Sequence, residues 1–169
     1  MITPSPLDVM NAVLDARLGE LHTCMPAEVI RVHAGAHKRQ FVDVQPSLQR
    51  QVYSVDGEIV DETLPVIPMV PVAYTQGGGF FVSVPLHVGD FVWLMCAERS
   101  LDFWLETARK GGKRAVIPGD VGTHVLEGAV ALPCGPAPRS ALLDGVDASD
   151  VVIGGPTGVL ARFTAGGDV

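Results

Sequence analysis

The chain has 169 residues with 19 acidic against 12 basic side chains, a formal charge of −7, which repels polyanions at long range and argues against a general nucleic-acid binder. That length holds one ordinary domain, or a small domain plus an appendage. No apolar run approaches the roughly 18 residues of a membrane helix, and Met1 to Gly19 lacks the basic start and apolar block of a signal peptide. Cys24, Cys96 and Cys134 are widely spaced and form no Cys-x-x-Cys, so neither a disulfide framework nor a zinc cluster is indicated and a reducing cytoplasm is expected.

Ser5-Pro6-Leu7-Asp8 reads as a helix start, with Ser5 as cap, Pro6 in the first helical position and Asp8 at the positive end of the dipole. Leu7, Met10, Leu14, Leu18 and Leu21 follow at steps of three and four, predicting one apolar face that packs on the domain behind it or on a partner subunit. Alternation from Ala27 to His33 predicts a half-buried strand, and Ala34 to Arg39 a loop. Phe41 to Pro46 is a second strand and Leu48 to Val55 a third, which Asp56-Gly57 turns back into Glu58-Ile-Val-Asp61.

Thr63 to Trp104 is the densest apolar stretch. Pro65, Pro68 and Pro71 predict an extended, partly paired segment suited to a sheet edge or a wall between subunits. Gly77-Gly78-Gly79 leads into a strand from Phe80 to Val84, Gly89-Asp90 makes the next turn, and Phe91 to Cys96 is the most apolar strand. Phe80, Phe81, Phe91, Trp93, Phe103 and Trp104 are expected in the core. Ser100 is expected to cap a short helix with Asp102 in its first turn, Leu101, Trp104, Leu105 and Ala108 inside, and Arg109, Lys110 and Gly111 at its end.

The fold class is therefore mainly β: an N-terminal helix over 1–21, a small barrel of the OB type over 22–118, and a linker with a short C-terminal segment over 119–169. The strand-and-turn units after Asp150 are too short to bury a face alone. Copies from other subunits, winding into an intertwined trimeric β-helix or β-prism, would complete them.

Little in the chain asks for chemistry. His33 and His37 have an i, i+4 spacing, but Gly35 places them on a loop with no carboxylate between, so exposed loop histidines are expected. Gly77-Gly78-Gly79 lacks the Gly-Lys-Ser/Thr of a phosphate loop, and Arg109 to Arg114 reads as a helix C-terminus complemented by positive charge. Asp43, Asp61, Asp90 and Asp102 fall at strand edges, turns and caps, and no Gly-x-Ser-x-Gly occurs. No catalytic residue, cofactor or metal is expected, and the chain does not read as an enzyme.

Taken in order, Met25-Pro26-Ala27-Glu28-Val29, Val42-Asp-Val-Gln-Pro46, Val70-Pro71-Val72, Gly77-Gly-Gly-Phe80, Pro85, Gly89-Asp90 and Arg99-Ser100-Leu101-Asp102-Phe103-Trp104 resemble the N-terminal OB-fold domain of phage membrane-piercing needle proteins, the central spikes of contractile-tail baseplates. The resemblance covers about His22 to Trp104. It implies a homotrimer carried in the virion baseplate and assembled in the host cytoplasm. Its barrels would plug into a hub protein, and its C-terminal segments would wind into a triple-stranded β-helix directed at the host outer membrane. Val151, Ile153, Val159, Ala161 and Phe163 are the trimer contacts it implies. The family's His-x-His iron site has no counterpart among His22, His33, His37, His87 and His124, so no metal is carried over. The short C-terminal segment leaves room for a separate tip protein. The alternative is a stand-alone OB module binding single-stranded nucleic acid or sugar.

Overall fold

A computed structural model describes residues 5–34, 40–54, 57–112, 115–133, 151–155 and 158–163. In chain order these form α1 (Pro6–Gly19), β1 (Cys24–Ala34), β2 (Gln40–Pro46), β3 (Gln49–Tyr53), β4 (Ile59–Thr63), β5 (Ile67–Pro71), β6 (Thr75–Gly77), β7 (Phe80–Val82), β8 (Phe91–Cys96), α2 (Asp102–Arg109), a 3-10 turn (Leu126–Gly128), β9 (Ala129–Leu132), β10 (Val151–Gly155) and β11 (Gly158–Phe163). The protein is mainly β. It divides into two compact units, Met1–Gly135 and Pro136–Val169.

The first helix begins where Ser5 predicts. The Asp8 N–H donates to Ser5 Oγ at 3.2 Å while the Ser5 N–H donates to Asp8 Oδ2 at 2.8 Å, a reciprocal cap that satisfies two orphan donors. The Ser5 hydroxyl, donating to Asp8 Oδ2 at 2.7 Å, and then the Ser5 N–H hold the Asp8 carboxyl below its usual range. No residue of α1 is buried, so the helix does not pack on the barrel.

Five strands form one antiparallel sheet in the order β5-β2-β1-β8-β9. Alternation explains why: Met25, Ala27 and Val29 of β1 point inward and are buried, as are Val42 and Val44 of β2, Ile67 and Val70 of β5, and Val92, Leu94 and Cys96 of β8. Leu64, Val72 and Leu86 fill the core from the connections. Each fully buried Val or Leu contributes about 2 kcal/mol. The two edges of the sheet meet, since Val72 makes a parallel bridge to Ala131 and the Ala73 N–H donates to the Ala131 carbonyl at 2.8 Å. Ala129 and Ala131, nearly without exposure, allow that close approach. The result is an OB-fold-like half-barrel closed at one seam.

Several expected boundaries move. The barrel does not end at residue 118: β9 supplies its last strand, pairing Trp93 with Leu132 and Cys96 with Ala129. The third predicted strand shortens to β3, which among the described residues pairs with β4 alone, and Gly57 turns between them at φ 81°; Val55 and Asp56 lie outside the described residues. The strand expected from Phe80 to Val84 is the short β7, hairpinned to β6 through Gly78 and Gly79 at φ 58° and 88°. Positive φ at both central residues is what a type I′ turn requires. Ser100 is not the cap of α2; Leu101 is, without a side-chain bond, and Ser100 Oγ instead reaches Asp102 Oδ2 at 3.5 Å. Gly111 ends that helix at φ 79°, as expected.

In the second unit, β10 and β11 pair antiparallel. Val151 stands opposite Phe163, Ile153 opposite Ala161 and Gly154 opposite Val159, with an irregularity after Ile153. Ile153 is exposed.

Candidate functional site: an apolar surface on an anchored barrel

The barrel's proline strand is held by one carboxylate. Opposite Val42 to Val44 of β2, β5 carries one residue too many, and Met69 takes up the slack in the left-handed region at φ 55°. Asp43 sits in that gap. Its Oδ1 accepts from the Met69 N–H at 2.9 Å and from His33 Nε2–H at 2.7 Å, while Arg31 Nε stands 3.8 Å from Oδ2. The Met69 N–H is the main cause that holds the Asp43 carboxyl below its ordinary value, and the His33 bond and the charges of His33 and Arg31 act the same way against the opposing effect of burial. His33 is therefore not an exposed loop histidine: it lies on β1, partly buried, with its ring on Asp43. His37 and the loop 35–39 lie outside the described residues.

The Gly89-Asp90 turn is anchored as firmly. The Gly89 N–H donates to the Val29 carbonyl and the Val29 N–H to the Asp90 carbonyl, both at 2.8 Å, and Asp90 Oδ2 accepts from the His87 N–H at 2.7 Å. The loop is thus tied to the central strand. Gly89 itself has φ 89°, which a side chain resists. Arg99 Nη1 donates to the Val121 carbonyl at 3.3 Å, pinning the chain beyond α2.

With the barrel so fixed, the aromatic residues are not where they were expected. Phe80 is 83% and Phe81 72% exposed on the β6–β7 hairpin. Phe91, Phe103 and Trp104 are about half exposed or more, and Trp93 is only partly buried. The reason is capacity and geometry: β8 alternates, sending Val92, Leu94 and Cys96 inward and Phe91 and Met95 outward, and the interior is already filled by small and branched side chains. Of the motif residues, Val70 and Val72 are core and Pro71 is half-buried, while Phe80 and Trp104 face outward. Exposed apolar side chains mark a binding surface where they form a contiguous patch.

A cleft of about 130 Å³ between β5, α2 and the 3-10 turn is lined by Phe41, Met69, Pro71, Leu101, Leu105 and Glu127 among others. Ligand pockets run to roughly 300–1,000 Å³, so this one is small for a substrate. Among the described residues no group of three or more His, Cys, Asp or Glu could hold a metal. The Lys110 Nζ donates to Glu106 Oε1 at 2.6 Å, as a helix-end charge would; Lys113 and Arg114 lie outside the described residues. The expected trimer contacts Val151, Ile153, Val159, Ala161 and Phe163 all fall on the β10–β11 ladder.

A family described as phage protein Gp138 N-terminal domain matches residues 25–133. The chain belongs to this family. The match begins one residue into β1 and ends one residue past β9, so the Gp138 N-terminal domain is the barrel, last strand included. Membership supports a phage structural protein, a component of the virion. No curated protein matches the chain. The resemblance read from sequence stopped at Trp104 and missed β9. A signal was there: Gly128-Ala-Val-Ala-Leu-Pro133 is a short apolar run bounded by glycine and proline. The Asp43 anchor had no such signal, because its partner Met69 lies 26 residues away.

Proposed function

We propose that this phage protein is the trimeric central spike of a contractile-tail baseplate, its barrels seated in the hub and its C-terminal segments wound into a short β-helix that helps pierce the host outer membrane. It acts mechanically, with no catalytic step, cofactor or metal. The observation that carries the reading is the joining, in one chain of a phage family, of an anchored barrel with outward aromatic side chains and a two-stranded C-terminal ladder. A lone two-stranded ladder is marginal in water. Copies of itself are the natural complement, and a spike at the tail's axis has to be rigid, which interchain backbone hydrogen bonds supply.

Sedimentation at micromolar concentration tests the assembly. Three times the 17.8 kDa chain mass is expected, and a stable monomer sinks the proposal. Antibody raised against the barrel should label the baseplate of purified virions; label on the capsid or none on the particle would refute the location. Titration with a labelled oligonucleotide at low salt should give no salt-dependent binding.

A further inference from the structure

Helix α1 is fully formed and capped, yet Leu7, Val9, Met10, Val13, Leu14 and Leu18 are each 52–62% exposed. Fourteen residues are near the lower limit for a helix that stands alone in water. At about 100° per residue, Asp8, Asn11 and Asp15 share one polar strip, while the apolar positions from Ala12 round through Val9, Val13, Met10 and Leu14 to Leu18 sweep roughly 240°. A helix resting on one neighbour needs a stripe of about 100°. This arc is wide enough for two neighbours, and it divides into two flanks, one of Leu7, Met10, Leu14 and Leu18 and one of Val9, Val13 and Ala16. Arg17 falls near the middle of the arc in the last turn, where its guanidinium pairs with Glu20 at 3.2 Å and its side chain is 80% exposed, so close packing is confined to the turns before it.

From this arc we infer that three copies of α1 pack together as a parallel three-helix bundle ahead of the barrels, each helix covered by its two counterparts. The inference rests on the trimer reading above. The available area favours copies of this chain over a different protein. Full burial of one such side chain removes about 60–120 Å², so six that are half exposed offer on the order of 200–400 Å² per helix, against ~800 Å² per partner in a free-standing complex. The helix alone is too small to recruit a partner from solution. Three helices already tethered in one trimer associate at high effective concentration and need far less. The acidic strip of Asp8 and Asp15 then faces outward, away from its own copies.

The test uses the full chain with Cys24→Ser and Cys134→Ser, carrying either Val13→Cys at the middle of the apolar arc, where three copies converge, or Asp15→Cys on the polar strip. Mild oxidation is followed by non-reducing electrophoresis, alongside sedimentation of each variant. The expected result is a trimer in which Val13→Cys gives several-fold more disulfide-linked dimer than Asp15→Cys. A trimer in which the two cross-link equally, or not at all, overturns the bundle, leaves the trimer standing and assigns the helix to a different protein. A monomer overturns both.

Discussion

Removing the carboxylate of Asp43 should loosen the barrel at its proline edge. Asp43→Ala deprives the Met69 N–H and the His33 ring of their acceptor. Each of these two part-buried donors left without a partner costs up to about 1–3 kcal/mol, while the left-handed strain at Met69 is common to wild type and variant and does not enter the difference. A loss of about 2–3 kcal/mol is expected, a large part of the roughly 5–15 kcal/mol that holds a domain. For a domain of this size it lowers Tm by roughly 8–15 °C. Asp43→Asn keeps one acceptor oxygen and should lose less, about 1 kcal/mol. The pH dependence has a definite sign. The Asp43 carboxyl lies below its ordinary value of 3.8 in the folded protein, so its contribution is present above that pH and fades as pH falls through the lower, folded value. The gap between wild type and Asp43→Asn should therefore close on acidification below about pH 4. Thermal unfolding followed by circular dichroism across that range is the assay. If Asp43→Ala stays within about 0.5 kcal/mol of wild type, the anchor reasoning is wrong.

Three further outcomes can be checked. Phe80→Ser with Phe81→Ser should leave the melting temperature of the barrel nearly unchanged, since surface changes cost within about 0.5 kcal/mol, yet weaken assembly in sedimentation or hub binding; a large drop in stability would mean these rings are core after all. Gly89→Ala should cost roughly 1–2 kcal/mol from backbone conformation alone, because a Cβ there meets nothing within 4 Å; denaturant unfolding measures it. Cutting the chain after Gly119 removes β9 and should abolish cooperative unfolding, whereas cutting after Gly135 should leave a folded barrel that no longer forms the trimer; cooperative unfolding of the shorter piece would show that β9 is dispensable.

Much of this protein is local and was legible from residues near one another in sequence. The Ser5–Asp8 cap spans three residues, the turns at Gly57 and Gly78–Gly79 need only positive φ, and the alternation of β1 and β8 sorts inside from outside without knowledge of a partner strand. The family resemblance was carried by such short pieces. What the tertiary structure decided depends on residues far apart. Asp43 looked like an ordinary strand-edge carboxylate until β5 brought Met69 against it, and His33 changed from loop to anchor for the same reason. The fifth strand, β9, is placed by its pairing with β8, more than thirty residues back in the chain, and by Val72 meeting Ala131 across the seam. The aromatic residues show the limit most plainly: hydrophobicity says that Phe80 and Trp104 gain from leaving water, but not which surface takes them in. The barrel interior is filled by valines, leucines and alanines, and these rings stay on its surface.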